Sequence, residues 1–150
     1  AEATDLGVKP IPENNYIANG NFANVEGETL LGWEGEGGVK GEDGSQTYLS
    51  LDSGKKLTQM VRAQYSGYSF TLSAKALEVA GSGKCKIYAE YMYGSVRMGK
   101  SEEIEFTASD LGEKEILFTI TNNRVTDLRI VVETEDGTSA RLTGIEMFMN

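Results

Sequence analysis

Hydrophobic and polar residues alternate with a period of two along much of the chain. One side of the stretch 68–76 is apolar throughout: Tyr68, Phe70, Leu72, Ala74 and Ala76. The residues between them are Ser, Thr or Lys. Successive side chains point to opposite sides of a pleated strand, so this alternation is typical of a β-strand with one buried face. Helical periodicity is nearly absent.

The same alternation recurs in short stretches separated by turn-forming residues. A second clear strand is predicted over 85–93, with Cys85, Ile87, Ala89, Tyr91 and Tyr93 on its apolar side. Further predicted strands are Thr47–Leu51, Leu57–Arg62, Glu103–Thr107, Glu115–Thr121, Asp127–Glu133 and Ala140–Met149, with two more near Tyr16 and Trp33. The turns DSGK, GSGK, TNNR and EDGT lie between strands, since Gly and Asn tolerate positive φ. About nine or ten strands so spaced predict an all-β antiparallel β-sandwich.

The first 14 residues differ from the rest of the chain. They hold both prolines, Pro10 and Pro12, without a periodic apolar pattern, and are predicted as a leader or inter-domain linker. Residues 15–150 are predicted as a single β-sandwich domain, because a chain of this length can bury a hydrophobic core without a disulfide or a bound metal to stabilise it. Gly occupies six of the thirteen positions from Gly32 to Gly44, which predicts a flexible or tightly turned loop around Trp33.

Charge and residue usage exclude several classes of function. The chain has 23 acidic and 14 basic residues and a formal net charge of −9, so nucleic acid and anionic membranes are disfavoured partners. No apolar run approaches the roughly 20 residues that span a bilayer. The absence of histidine removes Ser-His-Asp and Cys-His machinery and His-ligated zinc. Cys85, the only cysteine, is predicted as a small buried hydrophobe.

Carboxylate pairs are frequent but select no catalytic site. Glu34/Glu36, Glu42/Asp43 and Glu102/Glu103 are adjacent or nearly so, and glycoside hydrolysis uses two carboxyl groups roughly 5 to 10 Å apart. With 23 acids in 150 residues such pairs arise from composition alone. No catalytic residue is predicted, and the chain is interpreted as a non-enzyme.

Four motifs occur in a familiar succession: NYIANGNF at 15–22, GW at 32–33, LTQMVRAQYSGYSFTLSAKA at 57–76 and ARLTGIEMFM at 140–149. Together they resemble the jelly-roll carbohydrate-binding modules of the galactose-binding-domain-like superfamily, over about Asn15 to Met149. The resemblance implies two packed antiparallel sheets. It also implies a ligand bound either on the concave face of one sheet or at loops along an edge.

The resemblance further implies a structural calcium between the first and last strands, which many members hold. This sequence departs from the pattern there, since Ala23 replaces the usual acid and Thr143 and Gly144 stand where Asp is common. Calcium prefers six to eight oxygen ligands, several of them carboxylates. The remaining candidate ligands are Asn21, Glu26 and Thr143, with backbone carbonyls.

Sugar binding uses aromatic faces and planar polar side chains, and loop residues offer both. Trp33 lies in the Gly-rich segment, where it either packs beneath the first strand or stacks on a sugar. Arg97, in YGSVRMGKS, and Tyr65, in AQYSG, are candidates for a binding edge. Each of these loop residues has a solvated or packed alternative.

A second candidate surface comes from two predicted strands. Tyr88, Glu90 and Met92 face away from the apolar side of one strand, and Thr71, Ser73 and Lys75 occupy outward positions of the other. If the strands are neighbours, these residues form a polar platform with one aromatic ring. The alternative is a solvated sheet face with a Lys75–Glu90 pair, worth less than about 1 kcal/mol.

The sequence therefore predicts a non-catalytic domain that binds a neutral polysaccharide or oligosaccharide. It would hold an attached enzyme or cell surface to the glycan, as one module among other domains of a larger extracellular bacterial protein. The alternative is a structural or adhesion β-sandwich of a phage tail appendage or surface assembly. An exposed apolar patch containing Met92, Met98 and Phe148 would favour that alternative.

Overall fold

The computed structural model describes residues 15–62 and 67–150, which form thirteen β-strands and no helix. The strands are β1 (Val25–Glu26), β2 (Thr29–Leu30), β3 (Glu34–Gly35), β4 (Gly38–Asp43), β5 (Gln46–Leu51), β6 (Lys56–Arg62), β7 (Ser69–Ala80), β8 (Cys85–Tyr93), β9 (Val96–Lys100), β10 (Ile104–Phe106), β11 (Gly112–Thr119), β12 (Asp127–Thr134) and β13 (Ser139–Met149). The predicted leader 1–14 and the candidate Tyr65 lie outside the described residues. Within the described ranges there is no helix long and apolar enough to span a membrane.

Two antiparallel sheets and a short hairpin contain these strands. The six-stranded sheet has the order β9-β8-β12-β6-β3, and β10 also pairs with β8. The five-stranded sheet has the order β11-β7-β13-β5-β4, while β1 and β2 pair with each other. One core cluster draws side chains from both sheets. The predicted antiparallel β-sandwich is therefore confirmed.

The core consists of alternate residues from the long strands. Phe70 and Leu72 of β7 face Ile87 of β8 and Ile130 of β12 within one buried cluster. Period-two alternation of the sequence thus marks the buried side of each strand. Cys85 belongs to this cluster, as predicted. Its burial, and secondarily the Glu133 carboxylate, raise the pKa of the thiol to about 12.

The Gly-rich segment after Trp33 forms strands β3 and β4, separated by a bend at 36–37. The prediction of a flexible or tightly turned loop was therefore wrong for most of the segment and holds only for its short bends. A Cβ on Gly35 would collide with the Lys56 carbonyl oxygen, and one on Gly38 would lie 2.8 Å from a Leu57 methyl carbon. Glycine is therefore required for β3 and β4 to approach β6. Residues 15–17 do not form the strand that was predicted near Tyr16. The Tyr16 backbone N–H nevertheless donates a hydrogen bond to the Met147 carbonyl at 2.8 Å.

The segment 81–84 crosses from the five-stranded to the six-stranded sheet instead of forming a hairpin. Gly83 N–H donates to Thr138 Oγ1 at 2.9 Å, and Lys84 N–H donates to Glu135 Oε1 at 2.8 Å. These bonds fix the segment to the β12–β13 connection, which makes the same crossing. As a result, the outward residues of β7 and β8 face opposite sides of the molecule.

Candidate functional site

Registered pairing across the six-stranded sheet places four rows of side chains on the side away from the core. Directly paired residues of antiparallel strands project to the same side. One row, next to β10, is Glu105, Lys86, Glu133 and Lys56. The other three rows are Lys100, Glu90, Arg129 and Met60; then Arg97, Met92, Asp127 and Arg62; then Tyr88, Val131, Thr58 and Glu34. We call the twelve residues of these three rows the outer face.

Three residues of the outer face are covered although they do not belong to the core. Val131 is 0% exposed, Met92 1% and Tyr88 7%, and none of them is in the core cluster. A flat, solvated sheet face would leave such side chains accessible. The long charged side chains around them must therefore lie over the sheet.

Glu90 lies between two arginines on the strands that flank β8. Its Oε1 accepts a hydrogen bond from Arg129 Nε at 2.6 Å, and its Oε2 lies 3.4 Å from Arg97 Nη1. Glu90 is 5% exposed, and an unpaired carboxylate so buried would be several kcal/mol unfavourable. The Arg97 and Arg129 side chains remain 47% and 35% exposed. Two guanidinium groups are thus held in place at the surface.

Tyr88 is enclosed by charged neighbours. The Lys100 ammonium lies 4.8 Å from its ring centroid and donates to Glu103 Oε2 at 2.9 Å. Burial, followed by the charge and hydrogen bond of Glu133, raises the pKa of Tyr88 to about 12. The hydrogen bond from Lys100 is the main cause that lowers the pKa of Glu103. The phenol is therefore protonated at neutral pH, and one face of its ring is occupied by a cation.

The platform of six residues, predicted for the case that the two strands are neighbours, does not form. Thr71, Ser73 and Lys75 lie on β7 of the five-stranded sheet, whereas Tyr88, Glu90 and Met92 lie on β8 of the six-stranded sheet. The predicted Lys75–Glu90 pair is replaced by the pairs of Glu90 with arginine. The outward direction of the β8 residues was correct, but their predicted exposure was wrong. Lys100 lies over the Tyr88 ring, and Arg97 and Arg129 pair with Glu90.

Trp33 packs beneath the NYIANGNF segment and does not face a binding surface. It is 6% exposed, its Nε1–H donates to the Asn19 carbonyl at 3.0 Å, and its ring lies 5.4 Å from that of Phe22. Asn19 adopts a φ of 54°, and its side-chain amide bonds the backbone of Asn24 and Leu31. Of the two alternatives for Trp33, the structure shows packing, and the buried ring is not accessible as the candidate that stacks on a sugar.

Two of the three candidate calcium ligands, Thr143 and Asn21, are engaged in other hydrogen bonds. Thr143 Oγ1 donates to the Thr47 carbonyl at 2.9 Å, and Thr47 Oγ1 donates to the Asn21 carbonyl at 2.7 Å. Asn21 Oδ1 accepts from Ala23 N–H at 3.2 Å, and Glu26 is exposed on the separate β1–β2 hairpin. The described part of the chain contains no group of three His, Cys, Asp or Glu side chains arranged to hold a metal. This donor set does not fit calcium, which favours several carboxylates.

The edge of the sandwich near Leu31 contains two surface cavities of about 420 and 340 Å³. Their lining includes the amides of Asn19 and Gln59. The Gln59 amide accepts from Ala18 N–H at 2.8 Å and donates to the Ala18 carbonyl at 2.9 Å. Both amides are thus committed to the backbone, whereas the arginines of the outer face retain exposed N–H groups. The outer face therefore offers more available hydrogen-bond donors to a polar ligand than the cavities near Leu31 do.

Sequence reasoning missed several residues of the outer face: Met60, Arg62, Lys100 and Arg129. Arg129 and Arg62 were included in correctly predicted strands, and Arg129 alternates with core residues. The alternation therefore indicated its side of the strand. It did not indicate that β12 lies beside β8, which is what brings Arg129 to Glu90.

No protein-family model matches this chain, and no curated protein matches its sequence. Several solved structures share the fold. A family 16 carbohydrate-binding module is 19% identical, with a TM-score of 0.68 over 89% of this chain and 99% of that one. A family 61 module in complex with beta-1,4-galactotriose is 15% identical, with a TM-score of 0.59 over 92% and 100%.

The enzymatically active domain of tailspike protein 4 from bacteriophage CBA120 also contains the fold. It is 12% identical, with a TM-score of 0.65 over 98% of this chain but 22% of that chain. At these identities the likeness establishes the fold alone. The fold is that of carbohydrate-binding modules, as the resemblance in the motifs implied.

Proposed function

We propose that this chain is a non-catalytic domain that binds a polysaccharide on the outer face. The observation that carries the proposal is the fixed position of Glu90 between Arg97 and Arg129, on a sheet surface outside the core. Groups held in place before binding lose little conformational entropy when the ligand arrives. This favours recognition of a ligand that presents many weak hydrogen-bonding groups.

The outer face supplies two kinds of contact that a sugar requires. Guanidinium N–H groups donate to hydroxyl and ring oxygens, and Arg97 and Arg129 each offer donors beyond the one that Glu90 uses. Met60, beside Arg129 in the same row, is 48% exposed and offers a polarisable apolar surface to sugar C–H groups. Since Lys100 occupies one face of the Tyr88 ring, polar contacts outweigh aromatic stacking here.

The arrangement of Glu90 supports binding over catalysis. Both of its carboxylate oxygens interact with arginine. A general acid must hold a proton and a nucleophile must approach the substrate, and this geometry opposes both roles. The carboxylate therefore positions the arginines and does no chemistry.

The domain would act by keeping its parent protein near a glycan. Weak binding at one site becomes effective when several modules or a tethered enzyme share the same chain. We place it outside the cell or at the cell surface, beside other domains of a larger chain. The net charge of −9 supports a largely neutral glycan, because a long polyanion would be repelled.

A structural domain of a phage tail or surface assembly is the second candidate, supported by the match of 98% of this chain to part of a tailspike. The apolar patch that would favour it does not form. Met92 is buried, and Met98 on β9 lies in a different sheet from Phe148 on β13. Residue placement thus favours glycan binding over protein assembly.

Affinity electrophoresis through gels containing xylan, galactan or β-glucan tests the proposal. We expect retardation by at least one polysaccharide and about a tenfold loss of affinity in Arg97→Gln and Met60→Ala, the effect of one lost contact worth roughly 1.4 kcal/mol. Lys75→Gln and Arg141→Gln, on the opposite sheet, are matched controls and should bind as the unmodified protein does. No binding to any glycan at millimolar concentration, or equal losses in the controls, would contradict the proposal.

A further inference from the structure

Arginine is concentrated at one end of the outer face. The chain contains five arginines. Arg62 ends β6, Arg97 is the second residue of β9, Arg129 is the third residue of β12, and Arg124 precedes β12 by three residues. The fifth, Arg141, lies on the five-stranded sheet and pairs with Glu78.

The charge at this end is opposite to that of the whole molecule. The two rows through Glu90 and Asp127 contain these two carboxylates and four cations, namely Arg62, Arg97, Lys100 and Arg129. Lys100 is paired with Glu103 at 2.9 Å, which leaves three arginines against two carboxylates. The row through Tyr88 and Val131 contains no cation. A protein with a net charge of −9 therefore presents a positive area at one end of its proposed binding surface.

The carboxylates at this end neutralise the arginines only in part. Glu90 is shared by Arg97 and Arg129, and Asp127 Oδ2 accepts from Thr126 Oγ1 at 2.9 Å. Throughout residues 15–62 and 67–150, no carboxylate lies within 4.0 Å of the Arg62 or Arg124 guanidinium. Arginines outnumber the carboxylates at this end, so it keeps a net positive charge.

The geometry favours a planar anion. Arg97 is anchored to Glu90 through one terminal nitrogen and Arg129 through Nε, so further donors of both groups are available. A guanidinium group presents a flat pair of donors that matches the two oxygens of a carboxylate. A tetrahedral anion such as sulfate is attracted by the same charges, but its oxygens do not lie in one plane with both guanidinium donors, so it lacks this geometric match.

We infer that the arginine end of the outer face binds the carboxylate of a uronic acid residue within an otherwise neutral glycan. The inference rests on the proposed function and narrows its ligand. One acidic sugar places its charge at the arginine end, while neutral sugars lie along the remaining rows. A continuous polyuronide would also approach the acidic remainder of the protein and is disfavoured.

Calorimetric titration with matched sugars tests the inference. The probes are a xylo-oligosaccharide that carries one glucuronic acid and the same compound after carboxyl reduction, which removes the charge and retains the linkages. We expect the acidic form to bind about tenfold more tightly, as one charge-assisted contact would provide. Raising NaCl from 20 to 300 mM should reduce this preference, because the guanidinium groups are exposed.

Arg62→Gln and Arg97→Gln should each reduce the preference to less than about threefold, whereas Arg141→Gln should retain it. Arg62 has no ion-pair partner among the described residues, so its variant keeps the test valid if Arg97→Gln fails to fold.

Equal affinity for the two sugars, or a preference that survives both variants, overturns the inference and leaves the proposed function intact. A sulfated xylo-oligosaccharide bound as tightly as the acidic form overturns the assignment to a carboxylate. Binding of neither form, nor of any neutral glycan, overturns the proposed function as well.

Discussion

At the scale of single residues, Glu90 connects stability and the proposed site. Among residues 15–62 and 67–150, Glu90 is the one buried charged residue. The two arginines that pair with it are groups proposed to contact the glycan. Desolvation of such a carboxylate is offset only while both partners stay in place. The same contacts that stabilise Glu90 therefore fix the binding geometry.

Glu90→Gln should lower the free energy of unfolding by about 2 kcal/mol, because two charge-assisted contacts are lost in a covered position. Glu78→Gln is the matched control. Glu78 pairs with Arg141 at 3.4 Å on the other sheet, with both side chains more than half exposed, so its loss should be less than about 1 kcal/mol. Urea denaturation of the two variants measures the difference. Equal small losses would contradict the role given to Glu90.

Cys85 should make stability fall at alkaline pH. Burial raises the pKa of its thiol from 9.0 to about 12, so the unfolded chain ionises first. The contribution of the thiol is complete below pH 9 and is lost as the pH rises from 9 toward 12. Between pH 8 and 10, the unmodified protein should lose about 1 kcal/mol more than Cys85→Ala does. Urea denaturation at both pH values checks this, and an identical decrease in the two proteins would refute it.

At the scale of elements, close contact between the N-terminal segment and β13 closes the sandwich where a calcium was expected. Ile145 N–H donates to the Gly20 carbonyl at 3.0 Å, and Thr47 links Asn21 to Thr143. A Cβ added to Gly20 would collide with the Ile145 carbonyl oxygen. Hydrogen bonds and the small size of Gly20 thus hold the two segments together.

Gly20→Ala should be destabilising by about 3 kcal/mol, since its methyl group meets backbone that has little freedom to move. Gly27→Ala provides the comparison. Gly27 has a φ of +66° but open space around its Cβ position, so only the conformational cost of about 1 kcal/mol applies. Thermal unfolding followed by circular dichroism separates the two. A larger loss in Gly27→Ala would show that this contact is unimportant.

Much of the fold was predictable from the sequence because alternation records burial strand by strand. The bounds of eight strands were predicted to within a few residues: β5 to β8 and β10 to β13. β9 was missed because it lies at the sheet edge, its side chains are largely exposed, and its register shifts between Arg97 and Gly99. Alternation is lost under those conditions.

The site was less predictable, because it depends on which strands are neighbours. Side-chain direction was correct for Glu90, yet its partners come from β9 and β12, which are distant in sequence or were not predicted. The segment 81–84 has the composition of a hairpin turn, but its bonds to Glu135 and Thr138 carry the chain to the other sheet. The residue types of a turn do not distinguish a hairpin within one sheet from a crossing to the other sheet.

At the scale of the whole molecule, the two exposed sheet surfaces differ in charge. On the five-stranded sheet, Ser73 lies between Glu115 and Glu146 in one row, and Glu113 pairs with Lys75 in the next. The outer face of the six-stranded sheet instead has its cations in two adjacent rows. An asymmetric protein of this kind favours one orientation of a ligand carrying partial or full negative charge.

The most direct measurement is an NMR titration of ¹⁵N-labelled protein with an oligosaccharide that retards it in affinity electrophoresis. If the outer face binds the oligosaccharide, chemical-shift changes should be concentrated in residues 58–62, 88–92, 97–100 and 127–131. These residues belong to the strands that form the outer face. Changes confined to the loop around Leu31, or to the outward residues of the five-stranded sheet, would contradict the central claim that the outer face binds the glycan.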